Sequence, residues 1–259
     1  MPATERLSTE RAFHDAQADA RRVYFARHPD RLLLDEDAYL DHETWVRPAF
    51  ALLGDVRGLR VLDCGCGHGM AGVLLARRGA RVTALELSAG YLREAAARAR
   101  AAGVADHLAF VQASAERLPF AAGSFDRVWG HAILHHLDLE RAAFELARVL
   151  NPGGVAVFCE PWGGNPLLEW ARRRLPYPGK HRSPDERPLR EDDLAVLRRY
   201  FAEVRVQPYQ LLAMVRRVWP RAPFLAALER CDAALLRVWP ALGRFCRYLV
   251  LSLRSPARL

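Results

Sequence analysis

The chain has 259 residues, 51% of them apolar, with 38 basic and 30 acidic side chains and a formal net charge of +8. That length suits one large α/β domain or one domain with an appended cap, and the apolar half can fill a sizeable core. No run of apolar residues is long enough to cross a membrane, and the polar, charged start (residues 4–22) lacks the apolar stretch of a secretory signal. Lys180 is the only lysine, and arginine and alanine run high along the whole chain. The positive charge therefore reads as a composition bias, and no nucleic-acid partner is expected. The five cysteines are odd in number, and Cys64-x-Cys66 is too tight for an ordinary zinc pair. A reducing cytoplasm and no metal site are the expectation.

Taken in chain order, residues 4–27 read as a helix and 36–53 as a second one, with Asp35 as its N-cap. Strands and helices then alternate. Strands are expected at 59–64, 81–86, 107–112, 125–130 and 155–160, and helices at 69–78, 89–102 (with Ser88 as N-cap) and 139–150. Residues 151–154 (NPGG) read as a turn. Residues 161–189 are Pro-rich and read as a long connection, a class of loop that is often functional. A helix at 190–199, a strand at 202–208, a helical insert at 209–244 and a closing strand at 247–254 complete the pattern. Such alternation implies a doubly wound, mostly parallel sheet with helices on both faces.

The first strand ends in Asp63-Cys64-Gly65-Cys66-Gly67-His68-Gly69. Two glycines one residue apart allow a tight turn and let a ligand approach the backbone, and the following helix offers unpaired amides at its N-terminus. Glu86 ends the next strand, nineteen residues after Gly67, where a carboxylate can accept the hydroxyls of an adenosine ribose. The order strand, turn, helix, strand, acid is what nucleoside binding demands.

On these residues the chain resembles the class I S-adenosylmethionine-dependent methyltransferase superfamily. The resemblance rests on VLDCGCGHG at 61–69, Glu86, LPFAAGSFDRVWG at 118–130, Leu134-His135-His136 and RVLNPGG at 148–154. It implies strand order 3-2-1-4-5-7-6 with the last strand antiparallel, a core at 58–160, an N-terminal helical cap at 1–57, and acceptor-side elements at 161–259. It implies S-adenosyl-L-methionine as cofactor and a small-molecule acceptor. By resemblance Asp63, Gly65 and Gly67, with Cys64 and Cys66 between them, line the methionine and ribose side. Glu86 binds ribose and Leu87 packs on adenine. Ser114-Ala115-Glu116 meets adenine, with Ser114 standing where the family often has Asp, and His131 approaches the methionine moiety. A short-chain dehydrogenase is excluded because Tyr-x-x-x-Lys is absent: Pro176 stands four residues before Lys180.

Methyl transfer asks the protein mainly to position and desolvate. Candidate general bases are His131, Glu160, His135, His136 and His181, with His131 first and Glu160 facing the same pocket from its strand end. His131 and His135 are spaced i,i+4, but no carboxylate at matching spacing supports a metal site there. Tyr24, Phe25, Tyr39, His42, Glu43 and Trp45 are candidates to cap the pocket. Glu160-Pro161-Trp162-Gly163-Gly164-Asn165-Pro166 and 182–189 resemble motifs of a bacterial branch of these enzymes. The 209–244 insert, with Trp219, Phe224, Trp239 and arginines at 230, 237 and 244, reads as a roof over an apolar acceptor pocket, with contact to anionic lipid headgroups as the other reading. Two alternatives to a small-molecule enzyme stay open: a degenerate cofactor-binding regulatory module, and an RNA or protein methyltransferase. Gly130-His131-Ala132-Ile133, lacking an Asn-Pro-Pro-Tyr type of base pocket, speaks against nucleobase chemistry.

Overall fold

Short apolar runs become parallel strands here because they are covered on both faces. β1 (Arg60–Cys64) buries every residue after Arg60, and β2 (Arg81–Glu86), β3 (Leu108–Gln112) and β4 (Phe125–His131) align with it in parallel register. The structure is a computed structural model that describes residues 3–174, 187–219 and 222–256. These form a seven-stranded sheet of order β3-β2-β1-β4-β5-β7-β6. β5 (Leu150–Pro161) is parallel to β4, and β7 (Tyr248–Pro256) runs antiparallel between β5 and β6 (Phe201–Tyr209). The expected fold and its reversed last strand are both present.

Alternation along the strands sorts the core into two layers. Val61 joins Trp129, Val157, Leu74 and Phe50 on one face, while Leu62 joins Val128, Phe158, Leu146 and Leu251 on the other. The helices that cover these faces include α4 (Met70–Arg77), α5 (Ala89–Ala101), α6 (Leu139–Val149) and α8 (Glu191–Tyr200). Ser88 and Asp35 act as the expected N-caps, accepting from the amides of Tyr91 and Ala38.

Three expectations change. The helix at 36–53 is two helices, α2 (Glu36–Asp41) and α3 (Val46–Ala51). Pro48 has no amide to give the carbonyl four residues back, so one helix cannot run through it, whereas the first turn of a new helix tolerates it. The NPGG turn lies inside β5 as an irregularity: the β4–β5 register jumps from Phe125↔Leu150 to Arg127↔Val155. The connection after β5 contains α7 (Pro166–Arg174), and a bridge between Trp162 and Leu189 returns the chain to the end of β5. Lys180, His181 and most of the 182–189 motif lie outside the described residues.

α1 (Ala3–Arg27) packs along α5. Asp15 accepts from the Ser88 hydroxyl at 2.6 Å and the Gly90 amide at 3.0 Å, and Arg21 makes two bonds to Glu94. A Cβ on Gly90 would come within 2.7 Å of the Ala18 Cβ, so glycine there sets the helix spacing. These ties carry α1 across the carboxyl end of β2, where the candidate site lies.

Candidate active site

Chain order reverses between β1 and β4, and in open α/β sheets ligands gather at the carboxyl ends of strands beside such a switch point. The Gly-rich turn sits there. Gly65 has φ +71°, and an added Cβ would meet Ile133 at 2.8 Å. Gly67 has φ +50°, with nothing within 4 Å of an added Cβ. One glycine is thus required for close packing and the other leaves open space for a ligand. The amides of Gly65 and Cys66 both donate to the Leu85 carbonyl at 2.9 Å, fixing the turn to β2.

Two adjoining cavities share this turn. The first, about 230 Å³, is lined by Gly65, Gly67, Glu86, Leu87, Ser114, Ala115 and His131 among others, and α1 closes it with Arg6, Leu7, Glu10 and His14. The second, about 760 Å³, is lined by Asp63, Gly65, Cys66, Gly67, His68, Met70, Trp129 and His131, with Leu33, Leu34, Tyr39 and His42 from the N-terminal segment. Seven of the residues named for the cofactor therefore meet in the first cavity, together with the candidate base His136, and Asp63 and Cys66 join the shared ones in the second.

Glu86 is nearly buried. Its Oε2 accepts from Gly67 N at 3.0 Å, and its Oε1 from Leu87 N at 2.7 Å and Ser88 N at 3.0 Å. A carboxylate oxygen accepts about two hydrogen bonds, so Oε2 retains room for one hydroxyl without rearrangement. Asp63 is buried, and its Oδ2 finds no hydrogen-bond partner among the described residues. Burial pushes its carboxyl up to about 7, against the Gly72 amide, with the Glu86 charge adding to the rise. Nδ1 of His68 and Nε1 of Trp129, both on cavity-lining residues, are likewise buried without partners among the described residues. Such unmet groups fit a ligand carrying several polar atoms, a cationic one beside Asp63 above all.

His131 ends β4 at the junction of the cavities. It stands edge-on to Trp45, ring centroids 4.8 Å apart, and lies 6.2 Å from His42. Burial holds its imidazole down to about 4, helped by the neighbouring His42, so at neutral pH it is an uncharged ring. His68 is held at about 4 for the same reason. The next residue, Ala132, has φ +55°, a strained backbone for a residue with a Cβ, and its amide donates to the Cys159 carbonyl at 2.8 Å.

Glu160 does not face either cavity, contrary to the sequence reading. It is wholly buried beneath the turn after β4. Oε1 accepts from Ile133 N at 3.0 Å and Leu134 N at 2.9 Å, and Oε2 meets His135 Nδ1 at 2.7 Å. Burial alone would raise this carboxyl, but His135 and the two amides together hold it below the usual range. Its place is to orient the 131–136 turn. His131 and His135, despite their i,i+4 spacing, do not share a helix face, because a 3₁₀ turn (Leu134–His136) follows the strand and turns His135 onto Glu160. Glu116 also points away from the cavities, binding Arg6 and the Asp138 amide, the latter at 2.8 Å. Cys64 is core.

The sequence reading missed most of the α1 contribution. Arg6 donates to the His136 carbonyl at 2.6 Å, Glu10 lies 2.6 Å from His136 Nδ1, and His14 and Tyr91 line the same wall. α1 carries no strong apolar stripe, which is why it looked like a solvated cap. Of the proposed capping residues, Tyr39 and His42 line the second cavity and Trp45 backs His131. Glu43 binds Gln210, and Tyr24 and Phe25 lie away from both cavities. Among the described residues of 209–244 none lines either cavity, so the roof expected there is not built.

Residues 62–158 match a family model described as a methyltransferase domain. Methyltransferase GfsG of Streptomyces halstedii is 37% identical over 134 residues, 51% of this chain and 48% of that protein. The chain thus spans about half the length, or less, of the curated relatives it matches. Among solved structures, geranyl diphosphate C-methyltransferase from Streptomyces coelicolor A3(2) aligns with TM-score 0.57 and 18% identity, covering 81% of this chain and 78% of its own. The [4+2]-cyclase SpnF aligns with TM-score 0.55 and 22% identity over 82% of each chain. Residues 62–158 are thus similar to the methyltransferase-domain model, and the sheet and its flanking helices share the fold of these solved structures.

Proposed function

We propose that this chain is an S-adenosylmethionine-dependent methyltransferase acting on an oxygen, nitrogen or carbon atom of a small, lipophilic acceptor. The observation that carries the reading is the pair of cavities sharing the Gly65–Gly67 turn, one beside Glu86 and one beside Asp63 and His131. In it, Glu86 Oε2 takes a ribose hydroxyl, Leu87 and Ala115 hold the adenine, and the unpartnered Asp63 Oδ2 receives the methionine ammonium. The cofactor, when bound, supplies a sulfonium-activated methyl for in-line displacement.

The second cavity suits the acceptor. Its volume falls in the small-ligand range, and Leu33, Leu34, Met70 and Trp129 give it apolar walls. His131, neutral at physiological pH, is the first candidate to take the proton that the acceptor releases. Its depressed basicity suits an acidic acceptor such as a phenol or carboxylic acid better than an unactivated alcohol. His42 is the second candidate, because its Nδ1 lies 2.5 Å from the Tyr39 carbonyl, which leaves Nε2 as the lone-pair nitrogen. His181, also a candidate base, lies outside the described residues. A cytoplasmic enzyme without nucleic-acid substrates fits the cysteine usage and the arginine-wide charge.

The neighbouring cyclase fold is a reminder that a fold hosts more than one chemistry. The deciding experiment titrates the protein with S-adenosylmethionine and S-adenosylhomocysteine by calorimetry, then screens acceptors for labelled methyl incorporation. Binding without any incorporation would leave a cofactor-binding module in place of the enzyme. No heat at millimolar ligand would remove the cofactor itself.

A further inference from the structure

The stretch 209–247 holds seven arginines and two acidic residues, so more than half of the chain's +8 charge falls there. One of the acids is spent internally. Asp232 accepts from the amides of Leu211 at 2.9 Å, Leu212 at 2.7 Å and Ala213 at 3.1 Å, capping the 3₁₀ turn Ala213–Arg217. Asp232 is also the only buried residue of α9 (Leu225–Val238). This 14-residue helix, about 21 Å long, is anchored to the body through Asp232, with Leu225, Leu228, Leu235 and Leu236 half-buried on the same face.

A second set of apolar residues faces outward. Phe224, Ala227, Cys231, Ala234 and Val238 recur at helical spacing and are all exposed. Arg230 and Arg237 run beside them, also exposed, and no carboxylate among the described residues pairs with either. Val218 is 88% exposed and Trp219 55% at one end of the helix, where Trp219 meets Phe224 edge to face; Trp239 is 59% exposed at the other end.

We propose that α9 and its two flanking tryptophans form an interfacial helix that docks the protein on an anionic lipid surface. An outward apolar stripe, arginines beside it and tryptophans at both ends match what the headgroup boundary solvates: apolar groups below, indoles at the boundary, guanidinium groups among lipid phosphates. The charge selects the occupant. A neutral apolar groove would not need Arg230 and Arg237 beside it, and a nucleic acid would not use the outward apolar residues. Docking does not depend on the methyltransferase reading, since α9 lines neither cavity.

The test sediments the full chain with vesicles of pure phosphatidylcholine and with vesicles containing about one third phosphatidylserine. Each basic residue near an anionic surface is worth about fivefold in partitioning. Binding to the anionic vesicles is expected to be at least tenfold stronger, to blue-shift tryptophan emission, and to weaken at high salt. Arg230→Glu with Arg237→Glu is expected to reduce it at least about 25-fold at unchanged melting temperature. Should that double variant melt early, Trp239→Ser replaces it, with loss of the blue shift as the readout. Equal binding to both vesicle types, no binding to either, or a dimer in sedimentation equilibrium that shields Trp219 and Trp239 from acrylamide would each overturn the proposal.

Discussion

Glu160→Gln separates a residue that positions the turn from one that does chemistry. The native carboxylate holds three partners in a fully buried site: the amides of Ile133 and Leu134 through Oε1, and His135 through Oε2. Glutamine keeps a carbonyl oxygen able to accept from both amides, and its NH₂ can donate to His135 in the opposite tautomer. The loss is confined to the charge assistance, about 1–2 kcal/mol. Leucine in its place strands both amides and the imidazole, costing about 3–5 kcal/mol, a large share of a typical folding free energy. The pH dependence adds a second readout. Because the folded Glu160 carboxyl is held below its ordinary value, its contribution is present above that value and is lost as pH falls through the folded one. Urea midpoints measured from pH 8 to about 3 are expected to stay apart for wild type and Glu160→Gln down to about pH 4.5 and to draw together below it. Turnover of Glu160→Gln is expected to stay within about tenfold of wild type, whereas removal of a general base costs about 100-fold or more. A 100-fold loss of turnover with an unchanged urea midpoint would refute the positioning assignment and return Glu160 to the chemistry.

Glu86→Ala is expected to weaken S-adenosylmethionine binding at least about tenfold by calorimetry, since it removes a ribose acceptor and frees three amides. Gly65→Ala combines a left-handed backbone with a Cβ 2.8 Å from Ile133, and its melt is expected to show a loss of about 2 kcal/mol or more. His131 and His68, both held near 4, bind protons in the unfolded chain before the folded one. Stability is therefore expected to fall as pH drops from about 6.5 towards 4, and His131→Phe to flatten part of that limb in urea titrations. Asp63 has the opposite sign: raised to about 7, it keeps a proton that the unfolded chain has already released, and costs stability as pH rises from about 4 to 7. Asp63→Asn is expected to raise the ligand-free melting temperature at pH 8 while weakening cofactor binding.

The sequence by itself determined the alternating elements, the order of motif glycines and acid along the chain, and the placing of Glu86 and His131 at strand ends. Those features are local: a run of 59–64, an N-cap at Ser88 or a Gly-x-Gly turn is set by residues within a few positions of each other. It misplaced Glu160 and Glu116, because the direction of a side chain at a strand end or in the turn beyond one depends on what packs against it. Only the tertiary structure brought the Ile133 and Leu134 amides under the one and Arg6 under the other. The same holds for α1, whose weakly amphipathic sequence gave no sign that Arg6, Glu10 and His14 would close the first cavity. It holds for 209–244 as well: the apolar and arginine periodicities were legible, but which face turned inward was decided by Asp232 reaching the amides of Leu211, Leu212 and Ala213. Periodicity records that two faces differ; long-range contacts decide which one the protein keeps for itself.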